Sequence, residues 1–441
     1  MMGTRIDVAG TKLSKEYEEE ILDSLNRSYL EAEDNKLTQV RIIIKRIIED
    51  KDAALLDILK QIEGQDFSAD DIEVDQKTIE SSQGEIEETL LDNLRESAAR
   101  IREYHNQQTF EDWFIEKDGI KSGLITRPIE KVGIYVPGGG ATYPSSLLMN
   151  AIPAQIAGVE EIVICTPANR DGEVDKVVLA AASLLGLKKI YKVGGAQAIA
   201  AMAYGTETIP KVDKITGPGN IYVTLAKKEV NGVVGIDMLA GPSEVLVLAD
   251  KKANPSIVAA DLLAQAEHGP DSMAIFVTDS KELADQVEKE VGLQLSPESK
   301  DTARRSLDKF GLTVAVDDIS VGVEVVNIIA PEHLLIYTEN SDALADDVKS
   351  AGAIFVGENT AVALGDYAAG PNHTLPTMGN AAFSAPLGVA DFVKKTSYLR
   401  VDKVGLENLG PAVERIAEAE GLKAHAESVR LRRKLNDSGR K

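Results

Sequence analysis

The 441-residue chain reads as an α/β protein built on two parallel β-sheets, with helical segments at both ends. Three observations point there. Short β-branched runs alternate with Ala-rich helical stretches from Val132 onward, which is the pattern of βαβ units. These runs fall into two series, separated by the loop-rich segment Gly232 to Glu244 (GVVGIDMLAGPSE). The stretches Ser14 to about Arg102, and beyond Asp402, are instead charged and helical in period.

Taken in order, the first stretch spaces Ile86, Leu90, Leu94, Ala98 and Ile101 so that one helix face stays apolar. The first strand series is VGIYV (Val132 to Val136), EIVICT (Glu161 to Thr166) and KIYKV (Lys189 to Val193). The second is EVLVLAD (Glu244 to Asp250), AIFVTD (Ala274 to Asp279), LTVAVD (Leu312 to Asp317), LLIYT (Leu334 to Thr338) and GAIFVG (Gly352 to Gly357). A faint echo between AQIAGVEEIVIC and AQAEHGPDSMAIF is no more than two helix-to-strand segments share by chance. The terminal run VRLRRKLNDSGRK reads as a solvated helix end.

Composition narrows the function classes. Acidic residues outnumber basic ones 71 to 48, and the net charge of −23 repels nucleic acid and anionic membranes. The most apolar stretch, Val177 to Leu187, is about half the ~20 residues that span a bilayer, and the N-terminus lacks a signal peptide's apolar core, so a cytoplasmic protein is expected. Cys165 is the single cysteine, and any metal must therefore be held by nitrogen and oxygen ligands. Its place in EIVICT reads as a buried structural thiol.

The five histidines sort by their neighbours. His105, in REYHNQQ at the end of a charged helix, reads as a surface residue. His268 closes AQAEHGP, where Gly269 and Pro270 stop a helix, so Gln265 and His268 share the face of its last turn. That pair reads either as a polar helix end or as two ligands for a divalent metal. Glu332 and His333 stand at a strand mouth in APEHLLIYT, either as ordinary loop residues or as a proton-transferring pair. His373 lies in the long loop GDYAAGPNHTLPT opened by Asp366, and such a loop favours function over a plain connector. His425, five residues after Glu420, is on its own a helix-surface histidine.

Three glycine turns each follow a strand and precede a helix: VPGGGATYPSS, VGGAQAIAAM and TGPGNIYVT. The first is a near miss to the dinucleotide fingerprint, with Tyr143 where a glycine is wanted. Each reads either as a plain turn-forming glycine segment or as part of a set of helix N-termini, which favour phosphate, gathered at one sheet edge, and their recurrence favours the second.

Together, YVPGGGATYPSSLLMNAIPAQIAGV, KVGGAQAIAAMAYGT, ITGPGNIYVTLAKK, AGPSEVLVLAD, LLAQAEHGPDS, APEHL, GDYAAGPNHTLPT and EGLKAHAESVRLR closely resemble the histidinol dehydrogenase family, most tightly from Val132 to Leu399. The resemblance implies two Rossmann-like domains with N-terminal and C-terminal helical extensions. It implies residues 1–31 as the N-terminal extension and 32–134 with 245–387 as the α/β domain carrying metal and catalytic residues. Residues 135–244 would form a second, NAD-binding domain, and 388–441 a C-terminal extension reaching the partner subunit.

The implied activity is the NAD-linked, four-electron oxidation of L-histidinol through L-histidinaldehyde to L-histidine, the last step of histidine biosynthesis. By similarity, Gln265, His268, Asp366 and His425 are the ligands of one zinc ion per subunit. Glu332 and His333 match the catalytic pair, and Tyr135, Gln197 and Asn220 the NAD contacts. Substrate contacts fall on Ser243 and Glu420, together with Gln265, His268, His333, Asp366 and His425. A domain-swapped homodimer, in which the terminal helix brings Glu420 and His425 to the other subunit, is part of the same implication. His333 suits the base for the alcohol and Glu332 the base for the water that adds to the aldehyde. The rival classes at this stage are a dehydrogenase of the same superfamily acting on another alcohol, a zinc hydrolase using the same ligands, and a nucleotide-binding scaffold.

Overall fold

The computed structural model describes residues 3–25, 27, 34–138, 142–295 and 300–438. The chain separates into two units: the first takes Met1–Gln108 with Glu130–Phe392, the second Thr109–Ile129 with Val393–Lys441. The strands of the described residues run, in chain order, β1 Thr4–Val8, β2 Trp113–Lys117, β3 Ile120–Pro128, β4 Lys131–Tyr135, β5 Glu161–Thr166, β6 Lys189–Lys192 and β7 Lys214–Thr216. There follow β8 Gly235–Ile236, β9 Glu244–Ala249, β10 Met273–Thr278, β11 Gly311–Val316, β12 His333–Tyr337, β13 Ala353–Val356 and β14 Val393–Val401.

The first unit contains both parallel sheets. One has the order β1-β11-β10-β9-β12-β13 and the other β6-β5-β4-β7-β8. Along β9, Val245 and Val247 bury into one core while Leu246 and Leu248 bury into the core on the opposite face. Helices cover both faces, so β9 needs apolar residues at every position, and its sequence is an unbroken apolar run rather than an alternation. The strand runs picked out in the sequence all appear as strands, within a residue or two at their ends. The segment Gly232 to Glu244 does join the two sheets.

Several expectations are corrected. The N-terminal extension is not purely helical: β1 pairs in parallel with β11 as an edge strand, burying only Ile6 and Val8. The helices between residues 34 and 106, expected to go with the catalytic sheet, pack on the five-stranded one. Val40, Ile44, Ile47, Leu55 and Ile58 share a core with Ala198 to Ala203 and Leu225. The grouping of 32–134 with 245–387 therefore does not describe the packing, and a boundary at 134/135 would cut through β4. The C-terminal extension opens on a strand, β14, before its helices Lys403–Ala419 and Lys423–Ser438.

The second unit, by itself, is an antiparallel sheet, β14-β3-β2, and the two terminal helices packed on each other. Tyr398 on β14 meets Phe114 on β2 edge to face, with centroids 5.2 Å apart. Between the helices, Arg433 reaches Glu407 and Glu414, and Arg430 reaches Glu414, Glu418 and Glu427. Two arginines of the basic run, Arg430 and Arg433, are thus paired with acidic residues of the two helices. Among the described residues, no helix is long and apolar enough to cross a membrane.

His105 is the plainest correction within a helix. In Glu88–Asn106 the buried positions include Leu94, Ala98, Ile101 and His105, which follow the i, i+4, i+7, i+11 spacing of one face. Its Nδ1 lies 2.8 Å from the carbonyl of Ile101, and its Nε2 lies 3.3 Å from the amide nitrogen of Asn372. The carbonyl can only accept, so Nδ1 carries the proton and Nε2 accepts from Asn372. Burial holds the pKa below its usual 6.5. A depressed pKa means that the unfolded chain binds the proton first as pH falls, so the stabilisation from neutral His105 is present above about 6.5 and is lost below it. We expect His105→Gln to cost about 1 kcal/mol at neutral pH. Its thermal midpoint should then fall less steeply than that of the parent between about pH 7 and about pH 5. Parallel slopes would show that His105 titrates alike in both states.

Candidate active site

A cleft of about 490 Å³ opens in the first unit. One wall is the C-terminal edge of the five-stranded sheet, where Tyr135 ends β4 and Pro218, Gly219 and Asn220 follow β7. The opposite wall is the N-terminal edge of the six-stranded sheet. Ser243 precedes β9, Glu332 and His333 stand at the start of β12, and Gln265 lies in the last turn of the helix Pro255–Ala266 with His268 just after it, before β10. Asp366, from the short helix Val362–Tyr367, and His373 complete it.

Local chain geometry sets Glu332 and His333. Ala330, which caps the helix Ile319–Ile329, adopts a left-handed conformation (φ 48°). The helix stops there because Pro331 disfavours a right-handed turn before it. The amides of Gly352 and Ala353 then donate to the carbonyls of Pro331 and Glu332, both at 2.9 Å. Gly352 is required in this approach, since a Cβ there would lie 2.5 Å from the Glu332 carbonyl oxygen.

Both members of the pair are 6% exposed, and both are held by the main chain of Glu244. The Glu244 amide donates to Glu332 Oε2 at 2.8 Å, and His333 Nδ1 lies 3.1 Å from the Glu244 carbonyl. A carbonyl accepts only, so Nδ1 carries a proton and neutral His333 presents Nε2 as its basic atom. Asp366 Oδ1 lies 3.7 Å from that Nε2, and Glu332 Oε2 lies 3.5 Å from Nδ1. Burial lowers the pKa of His333, but Glu332 and Asp366 outweigh it and raise the group to about 10. The imidazole is therefore poised between two carboxylates, and its proton affinity depends on what else those carboxylates bind.

The other residues singled out from sequence divide. Gln265 is 4% exposed and its Nε2 is buried without a hydrogen-bond partner, beside an exposed His268. The oxygen of this carboxamide, an imidazole nitrogen and the Asp366 carboxylate are donors of the kind that suits zinc. Among the described residues, no three His, Cys, Asp or Glu side chains converge to hold a metal. Glu420 and His425 lie on the second unit, both exposed, at the end of the helix Lys403–Ala419 and near the start of Lys423–Ser438.

On the opposite wall, Tyr135 and Asn220 line the cleft and Gln197 does not. Tyr135 accepts from the Gly195 amide at 3.1 Å, and burial raises its phenol to about 12, so it remains a neutral hydroxyl. Gln197, 2% exposed, donates to Glu63 Oε1 at 2.6 Å. Asn220 caps the helix Ile221–Val230, accepting from the amides of Tyr222 and Val223. The turn before it is gripped from beneath by a buried ion pair. Lys227 donates to the Gly217 carbonyl, and Asp237, its partner, accepts from the Gly217 amide at 2.8 Å. The helices Pro144–Ala157, Gly195–Tyr204 and Ile221–Val230 all begin at this sheet edge, as the three glycine turns suggested.

Sequence reasoning passed over Glu244, and it singled out His373 without its surroundings. Glu244 is wholly buried, and the only trace of it is an acidic residue at the head of the apolar run EVLVLAD. His373 is flanked by anchored neighbours: Asn372 donates to the Met149 carbonyl at 2.7 Å, and the Thr374 amide donates to Asn372 Oδ1 at 2.9 Å. Its Nε2 is buried without a partner, and burial lowers its pKa. Cys165, on β5, is fully buried and its thiol pKa is raised by that burial, as the structural reading expected.

Comparison with known proteins places this cleft. Residues 26–433 match the histidinol dehydrogenase family. The chain is 49% identical over 395 residues to histidinol dehydrogenase of Aquifex aeolicus, covering 89% of this chain and 92% of that protein. It is 47% identical over 395 residues to that of Clostridium acetobutylicum, covering 89% and 91%. A crystal structure of histidinol dehydrogenase from Elizabethkingia anophelis superposes with a TM-score of 0.91 at 39% identity, covering 98% of each chain. The chain belongs to the histidinol dehydrogenase family.

Proposed function

We propose that the cleft oxidises L-histidinol to L-histidine in two successive NAD-linked steps, with zinc holding the substrate. The observation that carries the reading is the Nδ1 bond from His333 to the Glu244 carbonyl, which turns the basic Nε2 away from the strand and toward Asp366. Family membership makes the protein an NAD-dependent oxidoreductase. The zinc assignment is supported by a carboxamide, an imidazole and a carboxylate, those of Gln265, His268 and Asp366, lining one cleft.

In the first step the carbinol C–H pair leaves as hydride, and His333 Nε2 takes the hydroxyl proton. In the second, water adds to the aldehyde carbon, and Glu332 removes its proton to give a hydrate that loses the second hydride. Glu332 is suited to this because Oε2 is fixed by the Glu244 amide, while among the described residues no hydrogen bond is seen at Oε1. The balance is alcohol, water and two NAD to carboxylate, two NADH and three protons. When bound, NAD accepts the hydrides and zinc, which takes up no electrons, orients the imidazole and amine of the substrate. With Asp366 committed to a cation, one of the two charges that raise His333 is spent, which brings its proton affinity toward the range a base needs at neutral pH.

Gln265, His268 and Asp366 hold the metal in this reading, and the partner's His425 completes the set. Ser243 and the partner's Glu420 bind substrate polar groups. Tyr135, Gln197 and Asn220 serve the dinucleotide, Gln197 from behind through the first turn of its helix. A homodimer is supported by the large apolar side chains that the second unit exposes: Ile115 is 61% exposed, Leu399 68%, Ile416 61% and Leu435 64%. The same reading places the protein in the cytoplasm, acting on a small molecule.

The direct test is stoichiometry. Two NADH per L-histidine are expected, and a ratio of one with free aldehyde accumulating would contradict the second step. The shared site is tested by mixing His425→Ala and His333→Ala proteins, each inactive, under conditions that exchange subunits. With crossover, one site of each heterodimer carries both lesions and the other none, so activity returns. Inactivity despite proven exchange would mean that each site is built in one chain.

A further inference from the structure

We propose that the buried ion pair between Arg27 and Glu244 is a positioning device for the acid–base pair. The proposal rests on the assignment of Glu332 and His333 above and adds to it a residue pair that reaches no substrate.

Glu244 is the first residue of β9, and its main chain is bonded to both catalytic side chains, through the amide to Glu332 and through the carbonyl to His333. Its side chain is anchored at both carboxylate oxygens. Arg27 Nη2 donates to Oε2 at 2.9 Å, and the Met378 amide donates to Oε1 at 3.1 Å. Arg27 is tied in turn, its Nη1 donating to the Ile329 carbonyl at 2.7 Å at the end of the helix that leads into Glu332. One guanidinium therefore links the strand carrying Glu244 to the helix preceding the catalytic pair.

The surrounding chain is shaped to admit it. Gly379 (φ +78°) lies so close that a Cβ would sit 2.5 Å from Arg27 Nη1. Met378 is held at a positive φ of 60°, unusual for a side chain of its size, with its amide turned to Glu244. Glu244 has no exposed surface, and burial, the largest influence on it, works against the charge that Arg27 supports. Buried pairs of this kind rarely stabilise more than apolar residues of equal volume, so stability alone is a poor reason for one here. Fixing the amide and carbonyl of one residue between two catalytic groups is a better one, because the angle of the Glu244 peptide sets where both groups point.

Glu244→Gln, which keeps shape, and Glu244→Ala, which does not, are compared with Arg27→Lys and with His333→Asn. The expected result is a kcat lower by about 10-fold in Glu244→Gln and about 100-fold in Glu244→Ala, with KM for L-histidinol and NAD within about twofold of the parent. Arg27→Lys should lie between the parent and Glu244→Gln. If Glu244→Ala does not fold, the graded loss in kcat at constant KM is read from the other two. Unchanged kcat in Glu244→Gln and Arg27→Lys, or KM rising in step with the fall in kcat, overturns the proposal. Turnover in His333→Asn equal to the parent overturns the assignment of the base instead, so the two failures are distinct.

Discussion

The account depends on one hydrogen-bonded junction, where the parallel pairing of β9 and β12 ends. The register sets His333 opposite Val245 and Met273 opposite Glu244, so Glu244 is the first paired residue of β9 and its peptide groups lie at the mouth of the ladder, beside Glu332 and His333. Buried peptide groups are rarely left unpaired. Here Glu332 and His333 supply the partners, and in doing so they lose their rotational freedom. Nδ1 is committed as the donor, which leaves Nε2 as the atom able to accept a proton, and one carboxylate oxygen of Glu332 is fixed by the Glu244 amide. A shift of one residue in that pairing would turn both side chains to the wrong face.

The same junction explains why chemistry sits at an unusual edge. Open parallel sheets usually bind ligands beyond the carboxyl ends of their strands, where loops and helix N-termini converge. The five-stranded sheet follows that rule, with Tyr135 and Asn220 at its C-terminal edge. The six-stranded sheet contributes its N-terminal edge instead, with Ser243, Glu332 and His333 at strand beginnings. The cleft thus sets turns suited to a phosphate-bearing cofactor against short, tightly bonded strand entries suited to precise acid–base geometry.

Much of this was legible in the sequence, and the omissions have physical reasons. Fully covered strands such as β9, β10 and β12 are continuous apolar runs and stand out. The strands β1, β2 and β14 do not, because they are mostly exposed, and β14 keeps polar residues (VKKTSYLRV) and pairs antiparallel with the distant β3, which leaves no local trace. His105 was misjudged by its charged neighbours, although its spacing from Ile101 and Ala98 marks the buried face. At the site, long motifs carried Gln265, His268, Glu332, His333 and Asp366 to one cleft. Glu244 and Arg27 were out of reach because their roles arise from contacts between residues 217 positions apart.

The central claim is that the two members of the pair divide the work, His333 serving the alcohol and Glu332 the water that attacks the aldehyde. It is tested most directly by measuring the two half-reactions separately, with L-histidinol and with L-histidinaldehyde, in Glu332→Gln and His333→Asn proteins. The account predicts that Glu332→Gln slows aldehyde oxidation far more than alcohol oxidation, while His333→Asn slows both. Equal losses in the two half-reactions of Glu332→Gln would contradict it.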